Sequence, residues 1–173
     1  MDAPLSAKSS STDRRYRVAD PCLRFYLAFL ERGLPLVERG RGDLALLSIE
    51  RSWQSWRGTA VEPVVREALL RMLPGLGFPE VGAVGGWWTR SNNVEIDLVG
   101  MDRGTSVVLA GSIKWHETQP FSRADYAGLL RDTGSLPGAK DEMKLIAVTR
   151  TGTAAADAPI TCLGPQDLLT AWQ

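Results

Sequence analysis

Hydrophobic residues recur in a strand-like pattern along two neighbouring segments near the middle of the chain, Val94–Gly100 and Ser106–Lys114. Both segments are rich in Val, Ile and Leu, and the turn-forming stretch Met101–Thr105 lies between them. Short apolar runs that are bounded by turn residues are typical of β-strands. The pattern therefore predicts two adjacent strands joined by a short turn.

These two strands also carry the polar side chains that first suggest chemistry. Side chains alternate along a strand, so we expect Glu95 and Asp97 on one face of the first strand. Ser112 and Lys114 share a face of the second strand by the same rule. Asp is depleted in strands, and Asp97 lies between Ile and Leu, which favours a functional role for it. Together the strands predict a site that could bind a metal ion and a phosphate.

Helical signals precede the strands. The pair Asp20-Pro21 is typical of an N-cap and a first helical position, and the apolar pattern that follows stops at Gly33. Thr59 and Glu62 match a capping box, which predicts a helix from there to about Leu73 with one apolar face. In this interpretation Glu62 is either only a capping residue or a site residue that faces the sheet.

The order of the remaining elements predicts an α/β fold, in which helices cover the faces of a sheet. We expect a short strand at Arg14–Val18, strands at Val81–Trp88, Met143–Thr149 and Ile160–Leu163, and helices at Ala124–Arg131 and Pro165–Trp172, with Leu44–Trp56 open between helix and loop.

Composition restricts the partners and the compartment. Lys and Arg number 20, as do Asp and Glu, so any nucleic-acid surface must be local. Cys22 and Cys162 lie far apart in apolar contexts, which predicts two buried, reduced thiols. No apolar run reaches the roughly 20 residues that a membrane span needs. These features predict a soluble, cytoplasmic protein.

Glu62, Asp97 and the run Ser112-Ile113-Lys114 resemble, in that order, the core motif of the PD-(D/E)XK nucleases. More narrowly, the chain resembles the C-terminal nuclease-like domain of a group of archaeal and bacterial AAA-type (STAND-like) ATPases, in which a winged helix leads into that domain. The matching stretches are Tyr16–Pro21 with Leu23–Tyr26, Gly58–Glu62, Gly85–Trp88, Glu95–Asp97 and Lys114-Trp115.

The resemblance implies a restriction-endonuclease-like mixed sheet flanked by helices, with an N-terminal helical arm. It implies an arm at 14–57 that forms the tail of a winged helix in the family, and a nuclease-like domain at 58–173. Residues 1–13 are small and polar with a cluster of Ser, which predicts a disordered tail. In this type of site, two carboxylates and a main-chain carbonyl hold a divalent cation such as Mg²⁺, and a lysine stabilises developing negative charge.

Carried over to this chain, the resemblance makes Glu62, Asp97 and the main-chain carbonyl of Ile113 the metal ligands, with Lys114 as their electrostatic partner. The family has an acid two residues before the lysine, and this chain has Ser112 there. Mg²⁺ prefers charged oxygen ligands, so this departure predicts a degenerate site with weak or no nuclease activity.

Three functions remain open at the level of the sequence. The first is a DNA-contacting or regulatory module that is associated with an ATPase, because the chain itself has no P-loop motif. The second is an active Mg²⁺-dependent DNA endonuclease that uses Glu62, Asp97 and Lys114, with Glu95 as the substitute acid. The third is a protein-interaction domain that docks on a partner ATPase. The apolar surface of residues 14–32 also predicts a homodimer.

Overall fold

The structure is a computed structural model that describes residues 4–5, 15–78, 80–103 and 106–173. A helical arm begins the regular structure, and its predicted N-cap is confirmed. Asp20 Oδ1 accepts a hydrogen bond from the Leu23 N–H at 2.7 Å. The arm contains helix α1 at Pro21–Phe25, a π-helical turn at Tyr26–Leu30, helix α2 at Glu31–Glu38 and the first half of helix α3 at Gly42–Met72.

The prediction that the first helical segment ends at Gly33 is wrong, because α2 continues through it to Glu38. A Cβ atom on Gly33 would lie only 3.3 Å from the Cβ of Ala45 on α3. The glycine therefore permits α2 and α3 to approach closely, and it does not stop the helix. The chain turns instead at Gly40, which has a φ of 72°.

Helix α3 also differs from the prediction, because Thr59 and Glu62 lie in its interior and form no capping box there. The segment Leu44–Trp56, left open by the sequence, is helical. A glycine in a helix costs about 1 kcal/mol relative to alanine, and tertiary packing of the first half of α3 offsets that cost at Gly58. This packing is an aromatic cluster with ring centroids 5.3–6.4 Å apart, formed by Phe25, Phe29, Trp53 and Trp56.

The residues before α1 form little regular structure. Of the predicted strand at 14–18, Arg15 is a single bridge residue and residues 16–18 form no strand. The predicted tail at 1–13 lies outside the described residues except for Pro4 and Leu5. Pro4 is buried, and the Leu5 N–H donates to the Gly86 carbonyl at 2.8 Å. Cys22 is exposed because α1 buries none of its residues, so the prediction of a buried thiol is wrong there.

In the part of the chain that the structure describes, five strands form one mixed sheet in the order β1-β2-β3-β4-β5. The pairs β1–β2 and β2–β3 are antiparallel, and the pairs β3–β4 and β4–β5 are parallel. The predicted strands from residue 81 onward and both C-terminal helices are present, which confirms the α/β class. Their bounds are β1 Val81–Trp88, β2 Glu95–Asp102, β3 Val107–Lys114, β4 Ala139–Thr149 and β5 Ile160–Leu163, with α4 at Arg123–Thr133, α5 at Pro165–Leu169 and a 3₁₀ turn at Thr170–Trp172.

Helices cover both faces of this sheet. The second half of α3 buries Val65 and Leu69 against one face, and α4 buries Leu129 against the other. Because β2 and β3 are antiparallel, the start of β2 meets the end of β3 at one edge, between α3 and α4. Within the described ranges, no helix is both long and apolar enough to cross a membrane.

Candidate functional site

A β-bulge in β2 determines how the acidic side chains at this edge point. Along one stretch of their pairing, β1 moves by two residues while β2 moves by three, from Ile96 to Val99. Strand β2 therefore contains one extra residue there, which is a β-bulge. Ile96 and Val99 therefore pack into the core cluster on the α4 side, while Leu98 packs into the cluster on the α3 side. The alternation by which the sequence analysis assigned faces on this strand would also put Ile96 and Leu98 on one face, and that expectation is wrong because of this extra residue. Asp97 lies in the bulge.

The carboxylate of Asp97 joins β2 to β3 where their regular pairing ends at Leu98. Its Oδ2 accepts hydrogen bonds from the Ile113 N–H at 2.8 Å and from the Ser112 hydroxyl at 3.0 Å. Burial raises the pKa of Asp97, and these two hydrogen bonds and the charge of Lys114 act against that rise. Asp97 is therefore a largely buried acid that the end of β3 holds in place.

Ser112 occupies the position where the resemblance expects an acid. In this chain it acts as a hydrogen-bond donor to Asp97. Its hydroxyl favours the charged form of the neighbouring carboxylate, whereas a second acid would oppose that charge. Ser112 therefore favours the charged form of the Asp97 carboxylate, and the site has one negative charge fewer than it would have with an acid at this position.

Glu62 faces the sheet from α3, and Arg66 lies one helical turn further along. The Arg66 Nη2 lies 3.1 Å from Glu62 Oε2. The same guanidinium donates to the main-chain carbonyl of Asp97, from Nε at 3.1 Å and from Nη2 at 3.0 Å. Burial raises the pKa of Glu62, and the positive charge of Arg66 acts against that rise. Arg66 thus connects the Glu62 carboxylate to the backbone of Asp97.

Lys114, at the end of β3, forms an ion pair with α4, because its Nζ lies 3.2 Å from Asp125 Oδ1. Asp125 forms a capping box at the start of α4, in which its carboxylate accepts from the Ser122 N–H and hydroxyl. Burial tends to raise the pKa of Asp125, but the hydrogen bonds from Ser122 and the charge of Lys114 hold it below its usual value. Lys114 is therefore neutralised by an acid that sequence reasoning missed.

Two cavities meet at Asp97 and Lys114. The first, of about 650 Å³, lies between α3 and the ends of β2 and β3, and the second, of about 280 Å³, lies on the α4 side. Glu62 and Ile113 line the first cavity with Asp97 and Lys114, so the structure brings these four predicted site residues together. Further residues of the first cavity are Arg51, Gln54, Ser55, Gly58, Thr59, Trp115, His116 and Gln119.

Glu95, the predicted substitute acid, lines the second cavity together with Ser112. Its carboxylate is half-exposed and lies 2.6 Å from the Arg15 guanidinium, which stacks on the ring of Trp88 at 4.1 Å. The partner of Glu95 is thus an arginine from the N-terminal arm. To act as a metal ligand, Glu95 would have to exchange this ion pair for the cation.

The side chains of the site do not match the ligand set of a resident Mg²⁺ ion. Across residues 4–5, 15–78, 80–103 and 106–173, no group of three or more His, Cys, Asp or Glu side chains could hold a metal ion. Glu62 and Asp97 supply two carboxylates, Ser112 donates a hydrogen bond, and the Arg66 guanidinium contacts both Glu62 and the Asp97 carbonyl. A hard cation needs several oxygen ligands and no fixed positive charge among them.

The sequence contains local signals for Arg66 and Asp125, the two charged residues that the sequence analysis did not assign to the site. Glu62 and Arg66 are spaced i,i+4, with the acid first, which is the favourable order for a helical ion pair. Ser122 and Asp125 have capping-box spacing immediately before an expected helix. Neither signal shows that the partner side chain faces the site, because that depends on elements that are distant in sequence.

The chain is thus an α/β protein with an acid, serine and lysine cluster at one edge of a mixed sheet. The model of the family DUF234, archaeal and bacterial proteins of unknown function, matches residues 26–126, and the chain belongs to that family. The matched region contains Glu62, Arg66, Asp97, Ser112 and Lys114.

A relative with a longer chain is the uncharacterized protein MJECL04 of Methanocaldococcus jannaschii. It is 25% identical over 115 residues, which cover 66% of this chain and 25% of the relative. The chain thus spans about a quarter of the length of that relative. No solved structure matches the chain.

Proposed function

We propose that the chain is a nuclease-like module of the PD-(D/E)XK type, with a restriction-endonuclease-like fold, that contacts DNA and has weak or no cleavage activity. We further propose that it acts in association with an ATPase. The fold proposal is supported by the mixed sheet, in which Asp97 lies on β2, Ser112 and Lys114 lie on the adjacent β3, and Glu62 lies on the helix that covers this edge.

The observation that carries the proposal of a degenerate site is the hydrogen bond from Ser112 to Asp97. Where an active site of this type would use a third acid as a ligand and to orient water, this chain has a donor that is already bound to the second acid. Lys114 is held at 3.2 Å by Asp125, which reduces the positive charge that it could offer to a phosphate. The arrangement favours binding without efficient hydrolysis.

The proposal of DNA contact is supported by the polar stripe that α3 presents to the larger cavity. Its members recur at helical spacings of three and four and lead from the start of the groove to Glu62: Arg51, Gln54, Ser55, Gly58 and Thr59. Arg51 forms no ion pair in the described part of the chain, and His116 and Lys114 lie on the same cavity. A free guanidinium and neutral hydrogen-bonding side chains along an open groove suit the phosphate backbone.

The test measures DNA binding and DNA cleavage separately. We expect fluorescence anisotropy to show binding of labelled single- or double-stranded DNA that weakens as salt rises. In Mg²⁺ or Mn²⁺ the same DNA should remain uncut. Metal-dependent turnover that Asp97→Ala abolishes would contradict the inactive assignment and favour the endonuclease alternative that uses Glu95. Absence of DNA binding at low salt would contradict the contact with DNA.

A second candidate function, docking on a partner ATPase, is favoured by a different part of the structure. An apolar surface cavity of about 730 Å³ opens between α1, the π-helical turn and α3. Leu23, Tyr26, Leu30 and Trp53 line it and remain between 37% and 47% exposed. Exposed apolar patches of this kind mark interaction surfaces. Pull-down of a purified ATPase by the wild-type chain, but not by a Leu23→Glu variant, would support this function.

A further inference from the structure

We propose that Arg66 is the resident cation of the site. Its guanidinium pairs with the Glu62 carboxylate and with the main-chain carbonyl of Asp97, so it competes with a divalent cation for Glu62 and lowers the affinity of the site for metal ions. The inference rests on the proposed nuclease-like site, whose metal ligands it concerns. It identifies Arg66 as the residue that sets the affinity of this site for metal.

The contacts of Arg66 support this role. Its guanidinium donates to Glu62 Oε2, an atom of a predicted metal ligand, at 3.1 Å and to the main-chain carbonyl oxygen of Asp97 at 3.0 Å. A carboxylate and a main-chain carbonyl are the oxygen types that also bind Mg²⁺. The Arg66 side chain is only 14% exposed, so solvent screens its charge weakly.

The neighbouring strand leaves space for this guanidinium. A Cβ atom on Gly86 of β1 would lie 2.7 Å from Arg66 Nη2 and 3.5 Å from the Asp97 carbonyl oxygen. Any side chain at this position would therefore displace the guanidinium from its present contacts. Three elements thus form the Arg66 site: α3 supplies Glu62, the β2 bulge supplies the carbonyl, and β1 supplies the space.

The charge of Arg66 is permanent, because a guanidinium does not lose its proton in proteins. A metal ion at Glu62 and Asp97 would have to displace it or remain beside a fixed positive charge. A neighbouring charge changes the proton affinity of a group by about 10- to 1000-fold. We therefore expect the charge of Arg66 to weaken the binding of a divalent cation by about tenfold or more.

The experiment measures Mn²⁺ binding by isothermal titration calorimetry at low salt and pH 7.5, without DNA. We expect Arg66→Gln to bind Mn²⁺ about tenfold or more tightly than the wild type. Arg71→Gln is the matched control, because Arg71 forms an equally spaced ion pair with Glu67 on the exposed part of the same helix. It should leave Mn²⁺ affinity unchanged. The double variant Glu62→Gln with Arg66→Gln should lose the gain.

A second variant keeps the test decisive if Arg66→Gln fails to fold. Gly86→Ala retains every charged group and clashes only with the flexible end of the Arg66 side chain, so it should also raise Mn²⁺ affinity. Folded variants that bind Mn²⁺ no better than the wild type would overturn the inference. That failure is distinct from failure of the proposed function, which would appear as absence of DNA binding by the wild type.

Discussion

Burial of Asp97 opposes its charged form and therefore makes the stability of the fold depend on pH. Burial raises its pKa, which means that the folded chain binds the proton at Asp97 more tightly than the unfolded chain does. Folding stability from this group is therefore greatest below the unfolded pKa and falls as the pH rises through the folded pKa. The hydrogen bonds from Ser112 and Ile113 reduce this loss without removing it.

We therefore predict that Asp97→Asn stabilises the chain at pH 8, by about 1 kcal/mol, as is common when a functional group that opposes folding is removed. The amide oxygen of Asn can still accept from the Ile113 N–H, so the packing should be preserved. The gain should disappear on acidification to a pH at which wild-type Asp97 is protonated. Urea unfolding at several pH values measures it, and a variant less stable than the wild type at pH 8 would contradict the prediction.

The contribution of Asp125 to folding stability should depend on pH in the opposite direction. Partial burial tends to raise the pKa of Asp125, but the hydrogen bonds from Ser122 and the charge of Lys114 hold it below the usual value. Its contribution to stability is present above the unfolded pKa and is lost as the pH falls through the folded pKa. We predict that Asp125→Asn destabilises the chain at pH 7 by about 1 kcal/mol, the size of a lost capping interaction. The cost should shrink at low pH in the same urea series, and a pH-independent cost would contradict the linkage.

Helix α3 is the element on which the proposed DNA contact depends. Arg51 lies at the start of its polar stripe and lines the larger cavity. We predict that Arg51→Ala lowers DNA affinity and reduces the slope of log affinity against log salt by about 1, as expected for one lost phosphate contact. Arg39→Ala, an exposed arginine after α2, is the control and should change neither quantity. If both variants lowered DNA affinity equally, the contact with DNA would not be localised at Arg51, and the prediction would be wrong.

Strand β3 is positioned by a glycine that the sequence alone would not distinguish. A Cβ atom on Gly111 would clash with the main-chain carbonyl oxygen of Ile146 on β4. Backbone cannot move as a side chain can, so we predict that Gly111→Ala costs about 3 kcal/mol or prevents folding. Gly82→Ala is the control, since its nearest contact is an Arg103 side-chain atom at 3.5 Å. Thermal unfolding compares the two, and equal melting temperatures would contradict this packing.

Local signals predicted the elements well where they agreed with tertiary packing. The Asp20 cap and the strand Val81–Trp88 are examples. They failed where a distant element decides the outcome. The bulge at Asp97 depends on the register with β1, and the glycine at 33 is helical because α3 packs closely against it. The presence of Arg66 in the site depends on the space at Gly86, which no helical pattern in α3 could indicate.

At the scale of the whole molecule, charge and apolar surface are separated. The site at the edge of the sheet contains Glu62 and Asp97, the two acids whose pKa burial raises, while the helical arm carries many of the exposed apolar side chains. Leu23, Tyr26, Leu27 and Leu30 are each between 38% and 47% exposed, and Leu34 and Val37 on α2 are 45% and 54% exposed. Surface of this extent is typical of an interface.

We therefore predict that the chain self-associates through the arm, as the apolar pattern of residues 14–32 already indicates. Sedimentation velocity should show a dimer whose population rises with concentration, and Leu23→Glu with Leu30→Glu should shift it to monomer, because both side chains line the apolar cavity. Leu169→Glu is the matched control, since Leu169 is 62% exposed on α5, away from the arm. It should leave the dimer intact. A wild-type chain that stays monomeric at all concentrations would contradict the prediction.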